Sequence, residues 1–514
     1  MHVPLTVVDF LHRAELVYGD RVAVIDEPET PGGGLGHITY RELAEMARSL
    51  ASALDELGVP ENARVAIISP NSARYLATLF GVSAFGRILV PVNFRLNEEE
   101  IRYVLEHSGA TVALIDPDLE QTLRNIPIAH RFILGQATDA QLFLRKGAVP
   151  KLQVTDESAT VSINYTSGTT ARPKGVQISH RSSWLNTVVF GLHLGLSDRD
   201  VYLHTLPTFH CNGWGMPYCL TGLGARQVIL RKIDGAEILR RIEAEGVTLL
   251  NCAPAVVAAV LDAASGLRQR GEPIPGRGRV RIVVAGAPPP SKTIERVETE
   301  LGWEFIQIYG LTETSPLLTM NRAPAEWDAL DPAERSQRLA RAGVPAVGVR
   351  MDVSPGGELL ARSNHVFDGY YAQPEETAKA IVDGWFHTGD GGHQDGAYSV
   401  ITDRKKDVII TGGENVSSIE VEDCLYQHPG IAEAAVIGVP HEKWGETVLA
   451  FVVARAGVSL TQADVIAHCR SRMSHYKCPT IVELRDALPR TATGKLQKFR
   501  LREPYWAGRT RGVN

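Results

Sequence analysis

Between Thr39 and Ile115 the sequence alternates helix-period segments with short, wholly apolar runs, and this alternation restricts the possible folds more than any other feature. From Thr39 to Gly58 the apolar residues Leu43, Ala47, Leu50, Leu54 and Leu57 recur at helical spacing. Thr39 with Glu42 forms a capping-box pattern and Gly58 supplies a C-terminal stop. The run Val65–Ser69 follows, then a helical pattern over Ser72–Phe85, the run Ile88–Val92, a helix opened by Asn97 with Glu100, and the run Val112–Ile115. Such a succession predicts β-α-β units: an α/β body of mainly parallel sheets flanked by helices.

The alternation is expected to continue to about residue 400, without the 20-to-50-residue repeat of a solenoid. After the charged run Asp403-Arg404-Lys405-Lys406-Asp407 the texture changes. A strand over Val408–Thr411, the turn Gly412-Gly413-Glu414-Asn415 and a helix capped by Ser417 with Glu420 come first. Strands over Ala434–Val439 and Thr447–Ala454, a helix near Gln462–Met473 and a strand over Ile481–Leu484 complete the chain. The expected organisation is a large N-terminal body, residues 1–402, a hinge at 403–406 and a small mobile α+β domain, 407–514. A length of 514 residues accommodates this, since about 150 residues per domain allows two to four units.

A formal charge of -6 excludes bulk electrostatic attraction to nucleic acid or to an anionic membrane, so any bound anion must be held by local groups. The six cysteines form no C-x-x-C pair, which suits a reducing, cytoplasmic setting. Met1-His2-Val3-Pro4 lacks a basic n-region, and the most apolar run, Ala253 to Ala264, is too short to span a bilayer. Neither a targeting segment nor membrane insertion is expected.

Tyr165-Thr166-Ser167-Gly168-Thr169-Thr170-Ala171-Arg172-Pro173-Lys174-Gly175 combines hydroxyls, glycines and a lysine, the donors a loop needs to wrap a polyphosphate. It is not a Walker A loop, because Lys174 precedes Gly175 and Val176 follows. A polar surface turn is the alternative. Tyr309-Gly310-Leu311-Thr312-Glu313-Thr314 follows the apolar pattern Phe305–Ile308 and offers a ring to stack on a base, a hydroxyl for a phosphate oxygen and a carboxylate for Mg²⁺. In Trp385-Phe386-His387-Thr388-Gly389-Asp390 an acid follows a glycine, suited to ribose hydroxyls; a strand-to-loop junction and an Asp-stabilised turn are the plainer readings of these two segments.

In this order the segments resemble the adenylate-forming superfamily of acyl-CoA synthetases, nonribosomal-peptide adenylation domains and beetle luciferases. The resemblance covers essentially the whole chain. It rests on Thr166–Gly175, Leu206-Pro207-Thr208-Phe209-His210, Ala285-Gly286-Ala287-Pro288, Tyr309–Glu313, Thr388-Gly389-Asp390, Asp403–Asp407, Gly412-Gly413-Glu414-Asn415 and Thr493-Gly494-Lys495. It implies that Thr166, Ser167, Gly168, Thr169, Thr170 and Lys174 cradle the β- and γ-phosphates of ATP. Tyr309 would stack on adenine beside Gly310, with Gly286 and Ala287 along its edge and Gln307 at its amine. Thr312 would touch the α-phosphate, Glu313 would hold Mg²⁺, and Asp390 with Arg404 would grip the ribose. Lys495 would bridge the substrate carboxylate and the α-phosphate, and Lys406 matches the hinge position about which the small domain changes pose.

The second acceptor separates activities within the superfamily. Gly412 and Gly413 would let a pantetheine arm pass close to backbone. The run Gly413–Glu420 and Phe209-His210-Cys211-Asn212-Gly213-Trp214 resemble acyl-CoA synthetases of short- and medium-chain or aromatic acids, in which His210 would gate the path between acyl pocket and thiol tunnel. The implied activity is AMP-forming ligation of a small carboxylic acid to coenzyme A, by a monomer or homodimer. Ala171 stands where the family usually has glycine, which keeps open an amine, another nitrogen nucleophile or a carrier-protein thiol as acceptor. A non-catalytic nucleotide-binding homologue is the third reading, against which the retained Lys495 counts. Acyl-pocket candidates are His210, Trp214, Ala285, Gly310, Leu311 and Leu317.

Overall fold

The structure is a computed structural model that describes residues 2–166, 173–286, 289–404, 407–411, 414–490 and 496–507. The helix signals hold at atomic level. Thr39 caps the helix Tyr40–Glu56 in a reciprocal capping box with Glu42, Ser72 caps Ala73–Ser83, and Asn97 with Glu100 forms a second box on Glu98–Ser108. Every residue of Ala73–Ser83 is buried, so this helix is packed on all sides rather than on one. The intervening apolar runs are the parallel strands Arg64–Ile68, Ile88–Val92 and Val112–Ile115.

Among the described residues the strands form four sheets. In the seven-stranded sheet the order is Gly369–Tyr370, Lys174–Ser179, Thr160–Thr166, Ile88–Val92, Arg64–Ile68, Val112–Ile115 and His130–Ile133. A nine-stranded sheet has a parallel interior that includes Val201–His204, Leu249–Cys252, Arg281–Val284 and Glu304–Gly310. Its two faces enter different apolar clusters, Tyr202, Leu249, Val283 and Ile306 on one side, Leu203, Leu250, Ile282 and Phe305 on the other. Burial on both faces is why these strands read as unbroken apolar runs.

The helix-strand alternation expected to residue 400 stops earlier. Arg350–Val353, Glu358–Arg362, Trp385–Asp395 and Tyr398–Arg404 form an antiparallel sheet. Strands joined by tight turns need no crossover helix. The last segment builds its own sheet from Ile409–Thr411, Glu414–Val416, Ile431–His441 and Gly445–Ala454, with Ile481–Leu484 added in parallel. Its separate core includes Val421, Leu425, Val436, Val448 and Val465.

The two ends of the charged run 403–407 are packed. Asp403 and Asp407 are buried, at 2% and 8% exposure. Asp403 Oδ2 accepts from the Ser418 backbone N–H at 2.9 Å, and Asp407 pairs with Arg502. Lys498 is likewise no solvated lysine: its Nζ lies 2.8 Å from Glu422 Oε1, with both side chains mostly buried. Opposite charges from helices of the last segment make that burial tolerable. On the body side, Ser291 N–H donates to Asp423 Oδ1 at 3.0 Å.

One buried ion pair fixes the end of helix Tyr40–Glu56 against the strand Ile88–Val92. Arg87 and Asp55 are 1% and 4% exposed and 2.7 Å apart. Asp55→Ala strands the guanidinium without its counter-ion, so a loss of about 3–5 kcal/mol is expected in denaturant unfolding. A loss below about 1 kcal/mol would contradict this account.

Candidate active site

The strands Thr160–Thr166 and Lys174–Ser179 are antiparallel, with Thr166 opposite Lys174 and Tyr165 opposite Gly175. The hydroxyl- and glycine-rich segment therefore leaves and re-enters the sheet at neighbouring points, and Lys174 stands at its exit. Gly175 is a close-packing position, since a Cβ there would lie 2.8 Å from Ile163 Cγ2. Lys174 Nζ pairs with Glu376 and sits 4.8 Å from the centroid of the Tyr370 ring. Ser167, Gly168, Thr169, Thr170, Ala287, Lys406, Gly412, Gly413 and Lys495 lie outside the described residues, as does the side chain of Arg404.

Tyr309 and Asp390 belong to different sheets and meet. The Tyr309 hydroxyl donates to Asp390 Oδ2 at 2.9 Å, and both residues are buried. Asp390 is not in a turn but inside the strand Trp385–Asp395, where it pairs in register with Arg404. The backbone kinks just before it: Gly389 has φ +74°, its N–H donates to Glu358 Oε1 at 2.9 Å, and the Thr388 hydroxyl donates to the Leu359 carbonyl at 2.7 Å. On the strand Glu304–Gly310, Gln307 and Tyr309 share a face by two-residue periodicity. Gln307 is 3% exposed, and its Oε1 has no hydrogen-bond partner among the described residues. Gly286, just past the strand Arg281–Val284, adopts φ +93° with open space where a Cβ would stand. The strand before Gly286 runs parallel to that of Gln307, with Val284 opposite Gln307.

Thr312, Glu313 and Thr314 form a short 3₁₀ turn directly after Tyr309-Gly310. Glu313 is held from the segment that runs alongside the strand of Lys174: Phe367 N–H donates to the Glu313 carbonyl at 2.7 Å and the Tyr370 hydroxyl to Glu313 Oε1 at 3.0 Å. Burial pushes the Tyr370 hydroxyl well above the usual phenol range, with the Glu313 charge adding to the shift, so it remains a donor. Lys174 rests on the ring whose hydroxyl holds Glu313, and a hard, oriented carboxylate of this kind has the chemistry Mg²⁺ takes, one or two carboxylates together with other oxygens and water. Gly310 admits no side chain, because a Cβ would fall 1.6 Å from the Pro316 carbonyl oxygen.

His210 opens the least ordinary backbone of the chain. Cys211, Asn212, Gly213, Trp214 and Gly215 all have positive φ, from +48° to +77°, one turn of left-handed helix. For the three that carry side chains the strain is on the order of 3–6 kcal/mol. Three asparagines from distant elements hold the loop. Asn71 Nδ2 donates to the His204 and Leu206 carbonyls while its Oδ1 accepts from the Thr208 N–H and hydroxyl. Asn164 Nδ2 donates to Asn212 Oδ1 at 3.2 Å, Asn212 Nδ2 to Ser162 Oγ at 2.8 Å, and Ser162 Oγ to Asn164 Oδ1 at 2.8 Å, a closed ring on the strand that leads to Thr166. Asn186 Nδ2 donates to the Trp214 carbonyl at 3.2 Å and its Oδ1 accepts the Leu317 N–H at 3.1 Å, tying this loop to the one that carries Glu313.

Cys211 is buried against the Thr312 carbonyl, 3.9 Å away, and burial raises its thiol far above the ordinary range; it remains neutral rather than a nucleophile. Trp214, Ala285 and Leu317 lie in one large apolar cluster with Leu311 packed on it. Sequence reading overlooked Asn71, Asn164, Asn186, Tyr370 and Glu376. The Gly-Tyr-Tyr of 369–371 ahead of a Pro-Glu-Glu helix start was the one local signal available for the last two.

Comparison with known proteins agrees with this geometry. Residues 11–371 match the AMP-binding enzyme family and residues 420–495 the AMP-binding enzyme C-terminal domain. The chain is 36% identical to 4-hydroxybutyrate–CoA ligase 2 of Metallosphaera sedula, over 97% of this chain and 94% of that one. With 2-methylpropanoate–CoA ligase CCL4 of Humulus lupulus it shares 37% identity over 97% of this chain and 95% of the relative. Among solved structures, ATP-bound MatB from Rhodopseudomonas palustris superposes with a TM-score of 0.83 at 27% identity, covering 98% and 99% of the two chains.

Asn186→Ala leaves the Trp214 carbonyl and the Leu317 N–H unpaired in a buried place, at about 1–3 kcal/mol each. A stability loss of at least about 2 kcal/mol is expected in denaturant unfolding, together with a slower overall reaction. Unchanged stability and rate would mean that the left-handed turn stands without this clamp.

Proposed function

The chain belongs to the AMP-binding enzyme family, as an acyl-CoA synthetase of the adenylate-forming superfamily, and from that premise we propose how its residues activate a small carboxylic acid and pass it to coenzyme A. The observation that supports the residue assignment most is the meeting of Tyr309 and Asp390 across two sheets at 2.9 Å, beside the Tyr370-held Glu313. Adenine lies against Tyr309 with its amine on the orphaned Gln307 oxygen and its edge along Gly286 and Ala287. Asp390 and Arg404, paired in register, take the ribose hydroxyls.

In the first step a carboxylate oxygen of the acid bonds to the α-phosphorus of ATP as the bond to pyrophosphate breaks. Two unit charges about 4 Å apart repel by about 4 kcal/mol at an effective dielectric of ~20, so approach of the acid needs positive charge at the meeting point. Lys495 supplies it there, and Thr312 donates to the α-phosphate. Lys174 and the hydroxyls and backbone of 166–170 hold the departing β- and γ-phosphates. Glu313 would hold Mg²⁺, which would supply the remaining positive charge toward the phosphates. In the second step the sulfur of coenzyme A bonds to the acyl carbon, AMP leaves with the electron pair, and the thiol proton passes to water. The small domain turns about Lys406 between the steps, bringing the Gly412-Gly413 loop in as Lys495 withdraws, and His210 guards the path of the thiol.

The acid is of short or medium chain, or aromatic. Trp214 at 4% exposure and Leu317 at 0% close the apolar side of the pocket. The names of the two relatives place four-carbon acids first in a panel. No helix among the described residues is long and apolar enough to cross a membrane. We assign a cytoplasmic setting and a monomer or a homodimer.

The decisive assay incubates the protein with ATP, Mg²⁺ and a panel of carboxylic acids, with and without coenzyme A, and reads AMP, pyrophosphate and thioester. AMP and thioester in equal amounts with at least one acid are expected; nucleotide binding without pyrophosphate release from any acid would sink the reading.

Lys495→Ala is expected to abolish adenylate formation while thioester formation from supplied acyl-adenylate persists. Gly413→Leu is expected to do the reverse. Equal loss of both half-reactions in either variant would overturn the two-pose mechanism.

A further inference from the structure

Lys174 is engaged by a carboxylate that none of the proposed steps uses. Its Nζ pairs with Glu376 Oε2, whose other oxygen, Oε1, takes Lys379 Nζ at 2.7 Å. Glu376 reaches it because Gly369–Tyr370 runs antiparallel to Gln177 and Val176, and Tyr371 N–H donates to the Gly175 carbonyl at 2.7 Å. That pairing seats the helix Pro374–Ala380 over the strand end that carries Lys174. The Tyr370 ring, 4.8 Å from Nζ, forms the floor on which the ammonium rests.

An ammonium committed to a carboxylate is not available to a triphosphate, and a fixed carboxylate beside the phosphates repels them. The hydrogen bond from Lys174, followed by that from Lys379, draws the Glu376 carboxyl down to about 2, so it is ionised wherever the enzyme works. The pair is partly open to water, with side chains 20% and 32% exposed, so the lysine can change partners without unfolding anything. The Tyr370 hydroxyl holds Glu313 through a separate bond, one that does not involve Lys174 or Glu376.

We infer that Glu376 competes with the phosphates of ATP and pyrophosphate for Lys174, weakening the hold on both and speeding pyrophosphate release. The inference rests on the phosphate-binding role proposed for Lys174. Glu376 is a positioning residue: it acts through the lysine and touches no reacting atom.

Equilibrium titration of the full chain with Mg·ATP and with Mg·pyrophosphate, in the absence of acid, tests it in wild type, Glu376→Gln and Glu375→Gln. The isosteric amide removes the charge and keeps the shape; Glu375 is an exposed neighbour that does not pair with Lys174. Glu376→Gln is expected to tighten both ligands by about 3- to 10-fold, Glu375→Gln by less than about 2-fold. In a Lys174→Met background the gain from Glu376→Gln should vanish. Unchanged or weaker binding in Glu376→Gln, an equal gain in Glu375→Gln, or a gain that survives loss of Lys174 would overturn the inference. A wild type that binds neither ligand would overturn instead the nucleotide reading on which it stands.

Discussion

Five consecutive residues turn left-handed beside His210, and a buried backbone can do this only where every polar group it releases is answered. The answer comes from carboxamides. Asn71 closes the approach to the turn, Asn164 and Ser162 close a ring with Asn212 inside it, and Asn186 takes the Trp214 carbonyl at its end. Each amide offers a donor and an acceptor on one short arm, so each can staple two strands of backbone at once. The same set reaches further. The ring sits on the strand that leads to Thr166, and Asn186 also holds Leu317, so the left-handed turn, that strand and the strand after Glu313 are parts of one network.

Charge is arranged on a similar plan. A chain of formal charge -6 must gather positive groups where an anionic nucleotide reacts, yet keep them from binding too tightly. Lys174 stands between a carboxylate and an aromatic ring, which leaves it positioned and exchangeable. Near the junction with the last segment the pairing is of another kind: Lys498 with Glu422 and Arg502 with Asp407 are withdrawn from water, so they fix geometry rather than respond to ligand.

Much of this was legible in the residues. The caps Thr39, Ser72 and Asn97, the apolar runs between them and the change of texture after Asp403 rest on contacts within a few residues, and the helices and strands formed close to where those signals place them. Tyr309, Glu313 and Asp390 stood out because their residue types suit a nucleotide in the order a known superfamily uses; that Tyr309 meets Asp390 and Tyr370 meets Glu313 did not. The antiparallel sheet from Arg350 to Arg404 was read as more alternation, since the helix Pro374–Ala380 interrupts its strands in sequence. The burial of Asp403 and Asp407 could not be read locally, because their partners, Ser418 and Arg502, lie on helices further along.

Local chemistry thus settled the class of fold, the order of the elements and the kind of ligand, because capping, periodicity and residue type act over a few positions. The working geometry came from long-range pairing: Tyr309 on Asp390, Tyr370 on Glu313, Glu376 on Lys174, Asn71 on Thr208. The partners are 81, 57, 202 and 137 residues apart. No local rule relates residues at such separations; they meet only when sheets of fixed register carry them to the same cleft.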